Sequence, residues 1–363
     1  MSKDTMVLTR KIQLHIDSSD KEFIKSCYQK LYQWQYICFR GANYIFTHHF
    51  IQEQIKSLFY LNDEVKVKLS DIKKDQDGIL TTSKANTTYQ VLSKNFKGEI
   101  PTKIISALNH SLLSYFNKEK DAYWKGEKSI RNYKKTIPIP FPAYSLLPIV
   151  DKGKYFTFIL FQIPFKTYLG KDFSDKRILL KKVIEGEVEL CTSSIKLQDN
   201  KIYWQAAFRF KKDCAKIKEG RIAEATLSYE YPIVVHIDKK KYCIGNRDEF
   251  LYRRLAIQAA RQRAQRNSTF NKPGKGRKKK LKSVDRFNQM EKDYINYRLH
   301  VYSRRLIDLC VKYQAAALLL VDQRQKEEEV KEDEFLLRNW SFFNLKAKVL
   351  YKAEKAGIKL IEE

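Results

Sequence analysis

The sequence predicts an α+β multidomain protein in which a β-barrel, split by a helical insertion, is followed by an α/β domain with a helical hairpin. Residues 137–210 alternate apolar and polar side chains between Pro, Gly and Asn, as barrel strands do. Apolar residues recur at spacings of three and four in 21–60 and 84–124, which is typical of helices. After residue 230, a strand and turn, two long helices, an apolar strand, an amphipathic helix and a last strand follow one another.

The first domain is predicted to be discontinuous in sequence. Residues 6–16 alternate as a strand and contain no apolar signal-peptide region, so export is not expected. We expect 1–20 to complete the barrel formed by 135–228, which makes 21–134 an inserted helical unit. In the insertion, Trp34 and Phe46 fit a buried helix face.

The second domain is predicted to occupy 229–363, after a helical or irregular linker at 212–228. Residues 250–266 and 283–313 are predicted helices that flank a basic connection. His236, on an apolar strand, is expected to be a hydrogen-bonded core histidine. The acidic run 327–334 is either a mobile loop or a docking surface for a basic protein.

Composition points to nucleic acid as the partner. The chain has 70 Lys plus Arg against 42 Asp plus Glu, a net charge of +28, which a polyanion would neutralise. The mean hydropathy is −0.53, and no apolar run approaches the ~20 residues of a membrane span. The six cysteines include no C-x-x-C pair, so we expect reduced thiols and neither a zinc site nor a disulfide framework. His48 and His49 are adjacent without further ligands, which disfavours a metal role.

A basic block at 253–286 has Asp285 as its single acidic residue and is the main predicted nucleic-acid contact; a solvated loop is the alternative. The candidate contacts here and in the following helix are Arg254, Arg261, Arg263, Arg266, Lys272, Lys275, Arg277, Lys278, Lys279, Lys280, Lys282, Arg286, Arg298 and Arg304. A second candidate combines aromatic and basic side chains that suit unpaired bases, with core packing as an equal alternative for the aromatics. Its members are Tyr123, Trp124, Lys125, Arg131, Tyr133, Lys134 and Lys135.

Two local patterns in the second domain resemble a known family. Asn296, Arg298 and Ser303 lie before an apolar strand, and the segment WSFFNLKAKVLYKAEKAGI at 340–358 follows that strand. The residues of the second pattern are Trp340, Leu345, Leu350, Tyr351, Lys352, Ala353, Glu354, Gly357 and Ile358. Together with the order of elements, they resemble the TnpB and miniature type V-F CRISPR effector family. The resemblance implies an OB-like wedge barrel, a helical recognition insertion and a RuvC-like domain of RNase H fold.

The resemblance also implies where nuclease residues would lie, and the chain departs from the family there. The family pattern GIDLG around a catalytic Asp corresponds to the segment 236–240, so that Asp238 is a vestigial position. The second carboxylate falls on Val321 or Asp322, and both alternatives remain open. The sequence stops at Glu363, before the zinc ribbon and the last catalytic Asp of the family. Because two-metal catalysis needs several converging carboxylates, we expect no functional metal site, no other cofactor and no DNA cleavage.

The expected function is that of a nuclease-dead RNA-guided DNA-binding protein in the prokaryotic cytoplasm, associated with the nucleoid. Its expected partners are a guide RNA and target double-stranded DNA, with a sigma factor, RNA polymerase and a second copy of the chain as further candidates. Repression and recruitment of polymerase are both compatible with the resemblance. One alternative is an active TnpB-like nuclease completed by another subunit. A second is a guide-free RNA-binding accessory protein of a mobile element.

Overall fold

The computed structural model describes residues 5–59, 84–170, 175–211, 218–227, 230–269, 275–321, 323–332 and 341–363. They form two compact units, Thr5–Phe210 and Lys211–Glu363, and each is described by itself. Among the described helices, none is both long enough and apolar enough to cross a membrane.

The described residues of the first unit form one sheet of eight strands. Its strands are β1 (Thr5–Ile16), β2 (Ile139–Phe141), β3 (Val150–Asp151), β4 (Phe156–Leu160), β5 (Ile163–Tyr168), β6 (Glu189–Leu190), β7 (Ser193–Gln198) and β8 (Lys201–Lys211). Their order is β2-β7-β8-β1-β5-β4-β3, and β6 also pairs with β8. The first strand lies in the middle of the sheet, which confirms the prediction that it joins the later strands.

Side-chain alternation in β1 fits this central position. The strand pairs antiparallel with β5, so that Ile16 lies opposite Phe165. Ile12, Leu14 and Ile16 are buried, and the residues between them are more exposed. The described pairings form a path with β2 and β3 at its two ends. Closure of this sheet into a barrel therefore remains a prediction.

The helical insertion follows β1, as predicted. Its helices are α1 (Lys21–Phe59), α2 (Lys84–Phe96) and α3 (Thr102–Trp124). The carboxylate of Asp20 accepts a hydrogen bond of 2.8 Å from the backbone N–H of Glu22 and caps the start of α1. Trp34 and Phe46 are buried, which confirms that they belong to the core. Later in the unit, connections between strands contain a 3-10 turn (Ala143–Ser145) and α4 (Lys176–Ile184).

In the part of the second unit that the structure describes, a five-stranded sheet is accompanied by further helices. Its strands are β9 (Lys218–Thr226), β10 (Ile233–Ile237), β11 (Lys240–Ile244), β12 (Ala315–Leu320) and β13 (Lys359–Glu362). The order is β11-β10-β9-β12-β13, with the first three strands antiparallel and β12 parallel to both β9 and β13. The earliest strand in sequence is thus the middle strand of the sheet.

The position of β9 corrects the predicted domain boundary. The prediction of a linker at 212–228 attached to the barrel is wrong, because β9 is paired on both sides within the second sheet. Ala223 and Ala225 of β9 are almost fully buried, and Ala223 lies opposite Leu318 of β12. Alanines give a strand little hydrophobic signal, which is why the pattern does not reveal this strand. The two units divide between Phe210 and Lys211 instead of at 228.

The helices described in the second unit are α5 (Arg247–Thr269), α6 (Lys275–Lys312), α7 (Gln323–Glu332) and α8 (Phe342–Lys355). α5 and α6 confirm the predicted helical hairpin. The predicted basic connection is shorter than expected, because α6 begins at Lys275 and includes the basic residues that follow it. The acidic run also differs from the predicted loop: its first six residues, 327–332, belong to α7, and 333–334 lie outside the described residues.

Candidate nucleic-acid interface

Two of the predicted contacts hold the α5–α6 hairpin together instead of facing solvent. The Arg254 guanidinium donates to Glu291 at 2.9 Å, and both side chains are buried. Arg261 donates to Asn288 at 2.8 Å and to the second carboxylate oxygen of Glu291 at 3.2 Å. The amide of Gln258 also donates to Glu291, at 2.7 Å. Arg254 is therefore engaged inside the hairpin, and Arg261 is largely occupied in the same way, so nucleic-acid contact stays a prediction for both.

Electrostatics keep Glu291 ionised inside the hairpin. Burial alone would raise the pKa of this carboxyl, but the hydrogen bonds from Gln258 and Arg254 and the charge of Arg261 lower it overall. A buried carboxylate of this kind neutralises guanidinium groups that would otherwise be costly to bury.

The hairpin also carries exposed cations among its described residues. Arg263, Arg266, Lys282 and Arg286 are exposed, as their predicted role requires. Exposure by itself does not test nucleic-acid contact, which stays a prediction for these four residues. Of the other candidates, Lys272 lies outside the described residues. The first turns of α6 contain five more candidates whose side chains lie outside the described part of the structure: Lys275, Arg277, Lys278, Lys279 and Lys280.

Two further arginines of α6 are engaged with carboxylates. Arg298 forms an ion pair with Glu249 of α5, and its guanidinium lies 5.8 Å from the centre of the Tyr294 ring. Arg304 is exposed and lies 2.8 Å from Asp308, one turn along the same helix. Exposed pairs of this kind contribute about 0–1 kcal/mol, so a phosphate can compete for Arg304.

In the first unit, the end of α3 separates the predicted aromatic residues into two environments. Tyr123 is buried, with its ring centre 5.8 Å from that of Phe116 and 6.4 Å from that of Phe46. Trp124 is 60% exposed. Burial favours core packing, the alternative that the sequence left open, for Tyr123, and stacking stays a prediction for Trp124. Tyr133 is half-buried beside Phe46, and burial raises its pKa to about 12.

Glu119, which no sequence motif singles out, orders the cations around Tyr123. Its carboxylate accepts hydrogen bonds from Arg131 at 2.6 and 2.7 Å, from the Tyr123 hydroxyl at 2.5 Å and from Lys128 at 3.3 Å. These donors, Arg131 first, lower the pKa of Glu119 to about 2. Glu119 lies four residues before Tyr123 on α3, and this spacing is the sequence feature that could have predicted their contact. The predicted cations of this surface are all exposed, so it keeps an excess of positive charge: Lys125, Arg131, Lys134 and Lys135.

The vestigial catalytic position predicted at Asp238 lies in a turn. Asp238 and Lys239 join β10 to β11 and have φ values of 48° and 64°, as in a two-residue hairpin turn of type I′. The Asp238 carboxylate pairs with Arg221 of β9 at 2.5 Å. The sequence predicts the strand before Asp238 as the first strand of the second domain, but β9 precedes it in the same sheet.

The second vestigial position lies at the end of β12. Asp322 is outside the described residues. Val321 directly follows the strand, and its backbone N–H donates to the carbonyl of Ala225 at 3.0 Å. Which of the two residues corresponds to the family's second carboxylate therefore stays open.

The exposed face of the second sheet carries a carboxylate that no sequence pattern indicated. Glu224 of β9 is exposed and lies opposite His236 of β10, which is also exposed. The expectation that His236 lies in the core is therefore wrong: alternation along β10 places Val235 and Ile237 in the core and turns His236 the other way. Across the described residues, no group of three His, Cys, Asp or Glu side chains is arranged to hold a metal ion.

The cysteines are thiols where the structure describes them. Burial raises the pKa of Cys38 and of Cys310 to about 12, so neither is a reactive thiolate at neutral pH. Cys243 is exposed, and Cys214 lies outside the described residues.

Comparison with known proteins relates the chain to one group. No protein-family model matches it. The chain is 22% identical over 255 residues to the CRISPR-associated endodeoxyribonuclease Cas12f1 of Sulfoacidibacillus thermotolerans, covering 66% of this chain and 60% of that protein. It is 22% identical over 318 residues to Cas12f1 of Syntrophomonas palmitatica, covering 79% of this chain and 62% of that protein. The chain thus spans between 60% and 62% of the length of these relatives.

A solved structure agrees with the sequence matches. The cryo-EM structure of a Cas12f1-sgRNA-target DNA complex superposes with a TM-score of 0.71 at 14% sequence identity, covering 99% of this chain and 89% of that one. The chain is related to the miniature type V-F, TnpB-like effectors. At this identity, the structural match supports the mixed α and β fold and carries no conclusion about activity.

Residues through which the sequence resembles the type V-F effectors meet between α6 and α8. The Lys348 ammonium donates to Asn296 at 2.7 Å and lies 3.1 Å from Nε2 of His300. Lys352 donates to the backbone carbonyl of His300 at 2.6 Å and to the Ser303 hydroxyl at 2.9 Å. Burial lowers the pKa of Lys352 to about 8. Asn296, Ser303 and Lys352 therefore position the two helices. Trp340, which begins the second pattern, lies outside the described residues.

Proposed function

We propose that the chain is a nuclease-dead RNA-guided DNA-binding protein, in which a guide RNA selects the target DNA and the protein controls transcription by occupying it. Guide pairing would supply sequence specificity, while the protein would hold the RNA and its duplex with DNA through their backbones. The partners in this proposal are a guide RNA and target double-stranded DNA. A sigma factor and RNA polymerase, or a second copy of the chain, are further proposed partners.

Nucleic-acid binding is supported by the charge of the chain and by exposed cations. The net charge is +28, and the hairpin has four exposed cations, Arg263, Arg266, Lys282 and Arg286. The structural relative was solved as a complex with sgRNA and target DNA, which supports the same classes of ligand here.

The observation that carries the nuclease-dead part of the proposal is the composition of β9. Three antiparallel strands, with two parallel strands beside the first of them, are the arrangement expected of a RuvC-like domain of RNase H fold. In that arrangement β9 would be the strand that bears the first catalytic Asp. The strand reads KEGRIAEAT and contains no Asp, and Ala223 and Ala225 are its buried residues. Asp238 is paired with Arg221 in a turn instead, and two-metal hydrolysis needs converging carboxylates.

A cleaving nuclease is the second candidate, and two observations favour it. The sequence relatives are named endodeoxyribonucleases. Glu224 of β9 is exposed on one face of the sheet, where it could serve as one metal ligand of a site completed by another subunit.

Copurified RNA tests guided binding. We expect sequencing of the RNA bound to the purified chain to give a discrete scaffold with a variable end. That complex should then bind a duplex matched to the variable end more tightly than a mismatched duplex. RNA without a common scaffold, together with equal binding to both duplexes, would favour the guide-free accessory protein instead.

Cleavage is tested separately on the same complex. We expect the matched duplex to remain uncut in the presence of Mg²⁺, even after the complex has bound to it. Guide-dependent cuts that disappear in Glu224→Gln would establish the nuclease alternative. A reporter gene with the guide placed over or upstream of its promoter then separates repression from activation.

A further inference from the structure

We propose that the solvent face of α1 is a stacking surface for unpaired RNA bases. The inference rests on the RNA binding proposed above and assigns a site to it in the first unit. Three tyrosines form this surface: Tyr32, Tyr36 and Tyr44, which are 43%, 49% and 37% exposed. We call them the α1 tyrosine row.

Helix geometry places the row on one side of α1. Spacings of four and eight residues correspond to separations of ~6 and ~12 Å along the axis. At ~100° per residue, the three tyrosines lie within an arc of about 120°. The opposite face is buried and includes Leu31, Cys38 and Ile45. The tyrosines are therefore not needed for the core of the unit.

Contacts at both ends of the row restrict its rings. The Tyr32 hydroxyl donates to the side-chain oxygen of Asn200 at 3.4 Å. The Tyr44 ring stacks on His48, with centres 5.4 Å apart and planes inclined by 19°, and Nδ1 of His48 lies 2.8 Å from the Thr88 hydroxyl. A ring that is already oriented loses less conformational freedom when a base stacks on it.

The charge of α1 near the α1 tyrosine row indicates which kind of ligand binds there. Residues 23–52 contain no Asp or Glu, whereas Lys25, Lys30 and Arg40 are exposed cations of the same helix. A helix segment that carries tyrosines and cations but no carboxylates of its own attracts the phosphates of an unpaired strand, and aromatic rings accept any base. A second copy of this chain would bring the same three cations of α1 to this face, so repulsion disfavours it as the occupant here.

Substitutions at Tyr36 separate stacking from other contacts. In the full chain, Tyr36→Leu keeps a helix-forming apolar residue but removes the ring, and Tyr36→Phe keeps the ring but removes the hydroxyl. The probes are a single-stranded oligouridylate RNA and a fully paired RNA duplex. We expect Tyr36→Leu to weaken single-strand binding by about 5- to 150-fold, with Tyr36→Phe close to the unsubstituted chain and duplex binding unchanged.

A matched control and a salt titration complete the test. Tyr168→Leu removes a tyrosine of similar exposure, 57%, from β5 of the same unit and should leave binding unchanged. Tyr36→Leu should keep the slope of log K against log salt, whereas Arg40→Gln should reduce it by about 0.7 if Arg40 contacts a phosphate. Equal affinity of Tyr36→Leu and the unsubstituted chain would refute the inference, as would equal losses in the Leu and Phe variants.

Failure of the stacking surface is distinguishable from failure of the proposed function. If the unsubstituted chain copurifies with guide RNA and occupies matched DNA, and Tyr36→Leu binds single-stranded RNA equally well, only the stacking inference is wrong. If the unsubstituted chain binds no RNA, the proposed function is wrong as well. The remaining possible occupant is a second copy of the chain, which light scattering tests by measuring the mass of the RNA-free chain. A dimer that Tyr36→Leu dissociates would show that this face is an interface between copies and would overturn the inference.

Discussion

At the scale of single residues, carboxylates decide which cations remain available to a ligand. Glu119 engages Arg131, Lys128 and the hydroxyl of Tyr123, although the two cations themselves remain exposed. Glu291 draws Arg254 into the hairpin. A sequence rich in Lys and Arg therefore overstates the number of side chains that can reach a phosphate.

The ion-pair cluster at Glu119 predicts a pH-dependent stability. The pKa of Glu119 is lowered to about 2, so its contribution is fully present above the unfolded-state pKa and is lost as the pH falls through the folded value. We expect Glu119→Gln to lower the Tm by a constant amount above about pH 5, and the difference to shrink between about pH 4.5 and 2. Thermal unfolding followed by circular dichroism over this range measures it. A difference that is independent of pH down to about 2 would contradict the assignment.

Gly245 is a residue for which only glycine fits. Its φ is 86°, and a Cβ there would lie 2.8 Å from the side chains of both Pro232 and Tyr302. We expect Gly245→Ala to lower the free energy of unfolding by about 2 kcal/mol or more, from overpacking added to backbone strain. Urea unfolding gives the value. Gly220→Ala is the control, because Gly220 has a φ of 91° but open space around it, and its loss of stability should be clearly smaller.

At the scale of elements, the α5–α6 hairpin depends on one buried carboxylate. Removing Glu291 leaves Arg254 buried without this carboxylate, and breaking a buried ion pair typically costs about 3–5 kcal/mol. We expect Glu291→Ala to destabilise the second unit by an amount of this order in urea unfolding. Asp285→Ala, at an exposed position of the same helix, should change stability by no more than about 0.5 kcal/mol. Similar losses of stability in the two variants would show that the buried ion pair between Arg254 and Glu291 does not stabilise the hairpin more than an exposed carboxylate does.

At the scale of the whole molecule, the net charge of +28 predicts binding that weakens steeply with salt. We expect simultaneous substitution of Arg263, Arg266, Lys282 and Arg286 by Gln to make binding less dependent on salt. The slope of log K against log salt concentration should fall in magnitude by roughly 0.7–0.9 for each phosphate that is no longer neutralised. The preference for matched over mismatched DNA should remain, because phosphate contacts do not read sequence. Electrophoretic mobility shifts at several salt concentrations measure both quantities.

The control for this prediction lies in the first unit. Lys152 and Lys154 are exposed cations, and their substitution by Gln changes the net charge without touching the hairpin. If the Lys152 and Lys154 variant reduces the slope of log K against log salt concentration by the same amount per charge removed, the hairpin is not the contact surface.

Elements with a local signal could be predicted from the sequence alone. Periodic apolar residues predicted α1, α5 and most of α6, and strict alternation predicted β1. Each of these patterns shows that one face of the helix or strand is buried, and it does so whichever element packs against that face. The sequence also determined the positive charge and, through a few residues of α6 and α8, the relation to the type V-F effectors.

Features that depend on pairing between distant segments could not be predicted and became visible only in the folded chain. β9 is the middle strand because β12, much later in the chain, pairs with its alanines, and alanines carry little signal alone. Arg254 and Arg263 have the same charge and similar sequence surroundings, yet of these two only Arg254 meets Glu291 across the hairpin. Asp238 resembles the end of a first strand in sequence, but strand pairing makes it part of a turn beside Arg221. Burial and pairing are properties of two segments together, so no single segment could reveal them.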